Sequence, residues 1–304
     1  AGAAVRVQMT QVLISAAVKF ALIAAIEFDI LTAQEALIWF AWTYVVESAL
    51  LAVGYLYMYG RIGGSWREWK ATWPMAWHLL RESWPMLIYG MALYVQARID
   101  QVMIKDLLTR TQGETAAFAE VGQYSVALRM AEALGFLPVI VQKTLAPAIT
   151  KARTLDADLY KDRLLNQYRL MFGLFLVTAI PMFLFAKPMI ILLFGSEYAP
   201  AGYLLSLFAV RLFFTNMGTG KGSYIVNESL FKYSLITAII GALTNIGVNL
   251  WLIPTYKSIG AIWATIISFM VHIFIIDLFV PRMRENLRLM VKGIFTFWRF
   301  HRAS

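Results

Sequence analysis

Apolar residues in this chain fall into runs of about twenty, separated by short polar stretches, and a helix of that length crosses the hydrocarbon core of a bilayer. Eight such runs can be traced: Val7–Ile26, Ala36–Tyr59, Trp84–Leu108, Phe118–Leu145, Leu170–Phe194, Ala201–Gly220, Tyr233–Ile253 and Ile259–Val280. The pattern predicts an all-α fold, a polytopic membrane bundle of about eight transmembrane helices. Prolines recur in or near the runs, at 85, 138, 147, 181 and 188. Inside a bundle, neighbouring helices can satisfy the backbone groups that proline frees, and the helix bends there.

The polar stretches between runs alternate in charge. Arg61, Arg67, Lys70 and Arg81 follow the second run, Lys143, Lys151, Arg153, Lys161, Arg163 and Arg169 the fourth, and Lys221 and Lys232 flank the link after the sixth. The tail adds Arg282, Arg284, Arg288, Lys292, Arg299 and Arg302. The intervening links carry Glu27, Asp29 and Glu35, a mixed set around Arg110 and Glu114, then Glu197, then Lys257 alone. Lysine and arginine mark the cytoplasmic side of such bundles, so the expectation is an inner-membrane, multi-pass protein with both ends of the chain in the cytoplasm.

Two of the basic links read as interfacial helices. Ser65–Glu82 sets Trp66, Trp69, Trp73 and Trp77 on one helical face, with Trp84 beyond, as expected at headgroup level. Asp156–Arg169 is a charged helical stretch on the same side, with Asp158, Lys161 and Asp162 about one turn apart.

Composition agrees with the pattern. Of 304 residues 60% are hydrophobic, and the mean hydropathy is +0.64. Cysteine is absent, which excludes disulfides and thiolate metal sites. The formal net charge is +9, but the placement of the charges says more than their sum, and it gives no reason to expect a nucleic-acid partner.

Charges inside the runs stand out. A charged residue at a helix centre costs about 2.5–3.5 kcal/mol on insertion scales, and chains that keep several use them to line polar cavities. In the third run Tyr94, Arg98 and Gln101 share a face by helical spacing, whereas Asp100 lies about 200° round from Arg98 and faces a neighbouring helix, with Gln96 on its own side. In the fourth, Gly122, Ser125, Arg129 and Glu132 form a second stripe, and Arg129 and Glu132 are spaced to pair. The sixth aligns Arg211 with Thr215 and Gly218, Lys19 stands alone in the first, and the seventh has Asn245 and Asn249 one turn apart. Asn245 and Asn249 read first as interhelical packing contacts and second, with Lys19, as cavity candidates. Three intramembrane arginines that outnumber nearby carboxylates point to an anionic ligand, since guanidinium binds phosphate in a bidentate fork.

Enzyme signatures are missing. The histidines are His78 at an interface, His272 in the last run and His301 in the tail, and His272 and Asp277 are badly spaced for one face. There is no P-loop and no GxSxG. GTGKG at Gly218–Gly222 lacks the spacing of a phosphate loop. The chain is expected to be no enzyme, with no catalytic residues, no metal and no cofactor.

Larger segments carry a family likeness. YVQARIDQVMI followed by VGQYSVALRMAEALGFLPVIV, then Ile190–Arg211 and Leu230–Ser268, resemble in order and spacing the Wzx-type polysaccharide flippases, of the superfamily that includes the multidrug MATE exporters and lipid II flippases. The likeness runs from about Glu82 onward and is weak before it. Tyr256-Lys257-Ser258 replaces the usual KYG turn after the Ile-Pro step. The resemblance implies a bundle of twelve or more spans in two six-helix lobes around a cavity. Residues 1–81 would be the last two helices of the first lobe plus an interfacial helix, and 82–304 the second lobe with a cytoplasmic tail, the first four spans lying outside the sequence.

It implies further that the chain flips undecaprenyl-pyrophosphate-linked oligosaccharide units across the membrane for O-antigen-type polysaccharide biosynthesis by alternating access, in association with polysaccharide polymerase machinery. Arg98, Arg129 and Arg211, with Tyr94 and Gln101, would bind the substrate. Asp100 and Glu132 would couple transport to an ion or proton gradient. A drug or cation exporter of the same superfamily would want an acidic cavity, and a membrane-embedded glycan transferase would want paired carboxylates or a histidine at a loop–membrane boundary.

Overall fold

The computed structural model describes residues 16–21, 23–25, 28, 32–61 and 72–299. The chain divides into two compact units, Ala1–Leu79 and Leu80–Ser304. All regular structure among the described residues is helical.

In the first unit α1 spans Ala33–Arg61. It begins with a capping box: Thr32 N and Oγ1 both donate to Glu35 Oε2, at 2.9 and 2.7 Å, and Glu35 N reaches back to Thr32 Oγ1 at 3.4 Å. These bonds hold the Glu35 carboxyl below its usual pKa. Lys19, expected to stand alone, instead pairs with Glu47 at 2.7 Å and lies 5.0 Å from the Tyr44 ring centre. Trp66 and Trp69 of the expected interfacial stretch lie outside the described residues, as does much of the first apolar run.

The second unit is a helical bundle. α2, Trp73–Gln112, starts within the first unit and belongs to the second from Leu80 on; α3 runs Glu114–Glu132, α4 Phe136–Leu155, α5 Ala157–Phe194, α6 Ala199–Asn227 and α7 Phe231–Met270. A π-helical segment Val271–Ile275 and a short turn Ile276–Phe279 lead to the tail helix α8, Pro281–Phe295. Trp73, Trp77 and Trp84 are exposed on α2.

Proline accounts for the break between α3 and α4. Pro138 has no N–H to give the carbonyl four residues back, and the chain passes 133–135 in tight turns closed by Gly135 N to Glu132 O at 2.9 Å. Asp156 caps α5 by accepting from Asp158 N and Leu159 N, at 3.2 and 3.3 Å. The charged stretch Asp156–Arg169 is therefore the first turns of α5, continuous with its apolar run, rather than a separate interfacial helix.

α7 is a hairpin. Lys257 has φ 50°, ψ −133°, and a Cβ on Gly260 would meet Leu252 O at 2.5 Å. Eight residues of straight helix would instead separate them by about 12 Å. Asn245 Nδ2 also reaches Thr265 Oγ1 across the fold at 3.4 Å. Each arm, 231–256 and 258–279, exceeds the ~20 residues that span a bilayer.

Among the described residues five stretches are long and apolar enough to cross a membrane: Ile38–Arg61, Glu114–Leu155, Ala157–Phe194, Ser196–Asn227 and Phe231–Phe279. The last contains both hairpin arms, expected from the sequence as two runs. The expected third run lies within α2, which is not among the five.

α5 and α6 pack most extensively. Gly202 lets α6 approach the α5 backbone, where a Cβ would stand 2.7 Å from Lys187 Cα. One core centres on Tyr124, Tyr168, Phe208 and Met217. A smaller one around Ile149, Leu164 and Met283 lies at the end of the bundle where α8 attaches.

Candidate polar sites in the second unit

The two stripes expected on the third and fourth runs face each other. Gln101 Nε2 donates to Ser125 Oγ at 3.0 Å and Arg98 Nη2 to Glu132 Oε2 at 3.1 Å. The numbers rise along one helix as they fall along the other, so α2 and α3 are antiparallel neighbours. Glu132 thus takes its partner across the helices instead of Arg129 on its own helix. The pair is half-exposed, with side-chain exposures of 41% for Arg98 and 35% for Glu132. Arg129 is exposed on the same α3 stripe, with no ion pair among the described residues. Tyr94 is exposed one turn before Arg98.

Asp100 points the other way, into the bundle, and is 1% exposed. Its Oδ2 accepts from Tyr124 Oη at 2.7 Å and Thr265 Oγ1 at 2.6 Å. Its Oδ1 accepts from Asn249 Nδ2 at 2.7 Å. Asn249 Nδ2 also donates to Asn245 Oδ1 at 3.1 Å. One turn earlier Gln96 Nε2 donates to Ser268 Oγ at 2.8 Å. All the donors to Asp100 are neutral, and no ion pair reaches it among the described residues. Asn249 Oδ1 and Gln96 Oε1 are buried acceptors without a donor. The set is rich in oxygen and poor in protons, which suits a hard cation or an added proton. The described residues hold no group of three or more His, Cys, Asp or Glu that could bind a metal.

Arg211 sits half-buried between the rings of Phe208 and Phe269, 5.5 Å from each centre, with its Nε buried and unpartnered. Aromatic faces on both sides offset part of the cost of burying this cation.

A third constellation escapes sequence reasoning. Lys221 Nζ donates to Asp277 Oδ1 at 2.6 Å and to the carbonyls of His272 and Ile273 at 3.2 and 3.3 Å. Tyr233 Oη donates to the same Asp277 oxygen. The two charged side chains are 4% and 0% exposed. A lysine inserted among helix carbonyls is one cause of a π segment. Lys221 reads as a linker residue because a twenty-residue count ends the sixth run at Gly220, whereas α6 continues to Asn227. The apolar Tyr224, Ile225 and Val226 after Lys221 carry the missed signal.

No protein-family model matches the chain, and no curated protein matches it.

Proposed function

We propose that the chain is part of a flippase for undecaprenyl-pyrophosphate-linked oligosaccharides, built on a flippase-type bundle of eight spans in this sequence and working by alternating access in the inner membrane. One observation supports it most: Arg129 is exposed beside the half-exposed Arg98–Glu132 pair, inside runs long enough to cross a bilayer. A guanidinium in that position is costly against lipid and cheap against a water-filled cavity. In such a cavity Arg98 and Arg129 offer forked donors to a pyrophosphate, with Tyr94 at the edge. Engaging Arg98 would draw it from Glu132.

Asp100 supplies the coupling step in this reading. Uptake of a monovalent cation or a proton by its carboxylate, with Asn245, Asn249 and Thr265 around it, would change the hydrogen bonds that join α2 to α3 and to both arms of α7. The resemblance in sequence order from Glu82 onward supports the family assignment. A drug exporter fits less well, because Asp100 is enclosed and offers no acidic wall to a bulky cation.

The test is complementation with the protein encoded by the native gene in a flippase-null strain. Surface glycan should return with the wild type. Arg98→Ala and Arg129→Ala should each abolish it at normal membrane abundance, and Arg→Lys should restore it in part. Normal glycan from a well-expressed Arg98→Ala/Arg129→Ala protein would refute the assignment of these arginines.

A further inference from the structure

The tail helix α8 leaves the last apolar helix sharply. Val280 is extended and Pro281 occupies the first turn of α8, while Arg284 Nε donates to Leu278 O at 2.8 Å and ties the corner. From there α8 runs alongside α5 in the same direction, as its contacts show in order. Glu285 pairs with Lys161 at 2.7 Å, and Asn286 accepts from Tyr168 Oη at 2.6 Å. Gly293 lies so close that a Cβ would be 2.6 Å from Tyr168 Cβ. Thr296 Oγ1 accepts from Arg169 Nε at 3.1 Å, and the Phe297 ring lies 5.3 Å from that of Phe172.

The order fixes a direction relative to any bilayer. α5 starts charged, at Asp158, Lys161 and Asp162, and becomes apolar after Arg169. By following α5, the tail returns from the polar end of the bundle toward the apolar zone. Met283, Asn286, Met290 and Gly293 are buried against the bundle. Helical spacing then places Arg288 and Lys292 on the opposite face, together with Val291 and Phe295, and all four are exposed. Phe295 is 71% and Trp298 62% exposed, at the level where Phe297 reaches Phe172, and Arg299 is exposed next to them.

We infer that the C-terminal end of α8 and Trp298 form an interfacial anchor that binds the headgroups of an anionic leaflet through Arg288, Lys292 and Arg299, with Phe295 and Trp298 inserted at the interface. The inference rests on the membrane part of the proposed function and is independent of the substrate. Aromatic rings at the polar–apolar boundary partition into the interface. Arg288 and Lys292 stand one turn apart on the polar side of these rings and Arg299 beside them, and each cation that meets lipid phosphate contributes roughly five-fold in partition near an anionic surface. The salt bridge Lys161–Glu285 keeps Glu285 from opposing that charge.

The absence of cysteine permits a single nitroxide label at Phe295→Cys. The whole chain is reconstituted in vesicles of phosphatidylcholine alone or mixed with phosphatidylglycerol, and insertion is confirmed by resistance to carbonate extraction. In mixed vesicles the label should be shielded from a water-soluble nickel chelate and open to oxygen. Arg288→Gln/Lys292→Gln/Arg299→Gln should shift it toward water, by about a hundredfold in partition if the three cations act independently. A control Lys105→Gln should leave it in place. Nickel accessibility that ignores both lipid charge and the triple variant would overturn the anchor. So would a label that stays in water in vesicles and is shielded only by an added soluble protein. Loss of carbonate resistance would count against the membrane reading itself.

Discussion

Lys221 on α6 donates a 2.6 Å hydrogen bond to Asp277, just past the π segment, and both side chains are out of reach of solvent. With Tyr233 they join α6 to both ends of the 231–279 hairpin. Removing one partner of a buried pair strands the other charge, at a cost of about 3–5 kcal/mol. Lys221→Met and Asp277→Asn should therefore each lower thermal stability and membrane abundance. Lys221→Met/Asp277→Asn should recover most of the loss, because the asparagine still accepts from Tyr233. A loss in the double variant equal to the sum of the two single losses, read by fluorescence-detected thermal unfolding, would mean that the charges do not interact.

Gly260 should be among the least tolerant glycines. A methyl there would collide with the Leu252 carbonyl at 2.5 Å, and backbone cannot step aside as a side-chain tip can. Gly260→Ala should sharply reduce folded protein, while Gly90→Ala, where nothing stands within 4 Å, should leave it unchanged. Size-exclusion profiles of the two variants compare them directly.

Asp100→Asn separates coupling from folding. The amide can keep accepting from Tyr124 and Thr265 through its oxygen, and Asn249 can turn its unpartnered Oδ1 toward the new NH2. Abundance should hold within about twofold, since the swap trades one set of satisfied bonds for another. Gradient-driven transport should be lost. A collapse in abundance would make Asp100 a structural residue alone.

These expectations show what one sequence can and cannot convey. Helical spacing placed Tyr94, Arg98 and Gln101 on one face and turned Asp100 away from it, and both follow from 3.6 residues per turn. Spacing cannot see across helices. It offered Arg129 to Glu132, whereas the antiparallel packing of α2 on α3 delivers Arg98. For the same reason Lys19 looked solitary although Glu47 is its partner. The length rule also fails where a helix outruns the apolar zone, which hid Lys221 at the end of α6 and made the start of α5 look like a separate element.

The positive-inside pattern predicts a membrane sidedness that reporter fusions can read. Fusions after Lys161 and Arg288 should report cytoplasm and one after Glu197 the outer side, since α5 alone separates Lys161 from Glu197. An exported Lys161 fusion would break the assigned order of crossings.

On the proposed function, half-exposed Arg98 on α2 and exposed Arg129 on α3 hold a pyrophosphate-linked glycan during its passage. The most direct measurement reconstitutes the protein encoded by the native gene in proteoliposomes with a fluorescent undecaprenyl-pyrophosphate oligosaccharide. Transfer between leaflets is then followed by a membrane-impermeant quencher. Transfer should run well above that in protein-free vesicles and fall to the background in Arg98→Ala/Arg129→Ala. Transfer at the protein-free rate by folded wild type, or undiminished transfer by the double variant, would contradict that role.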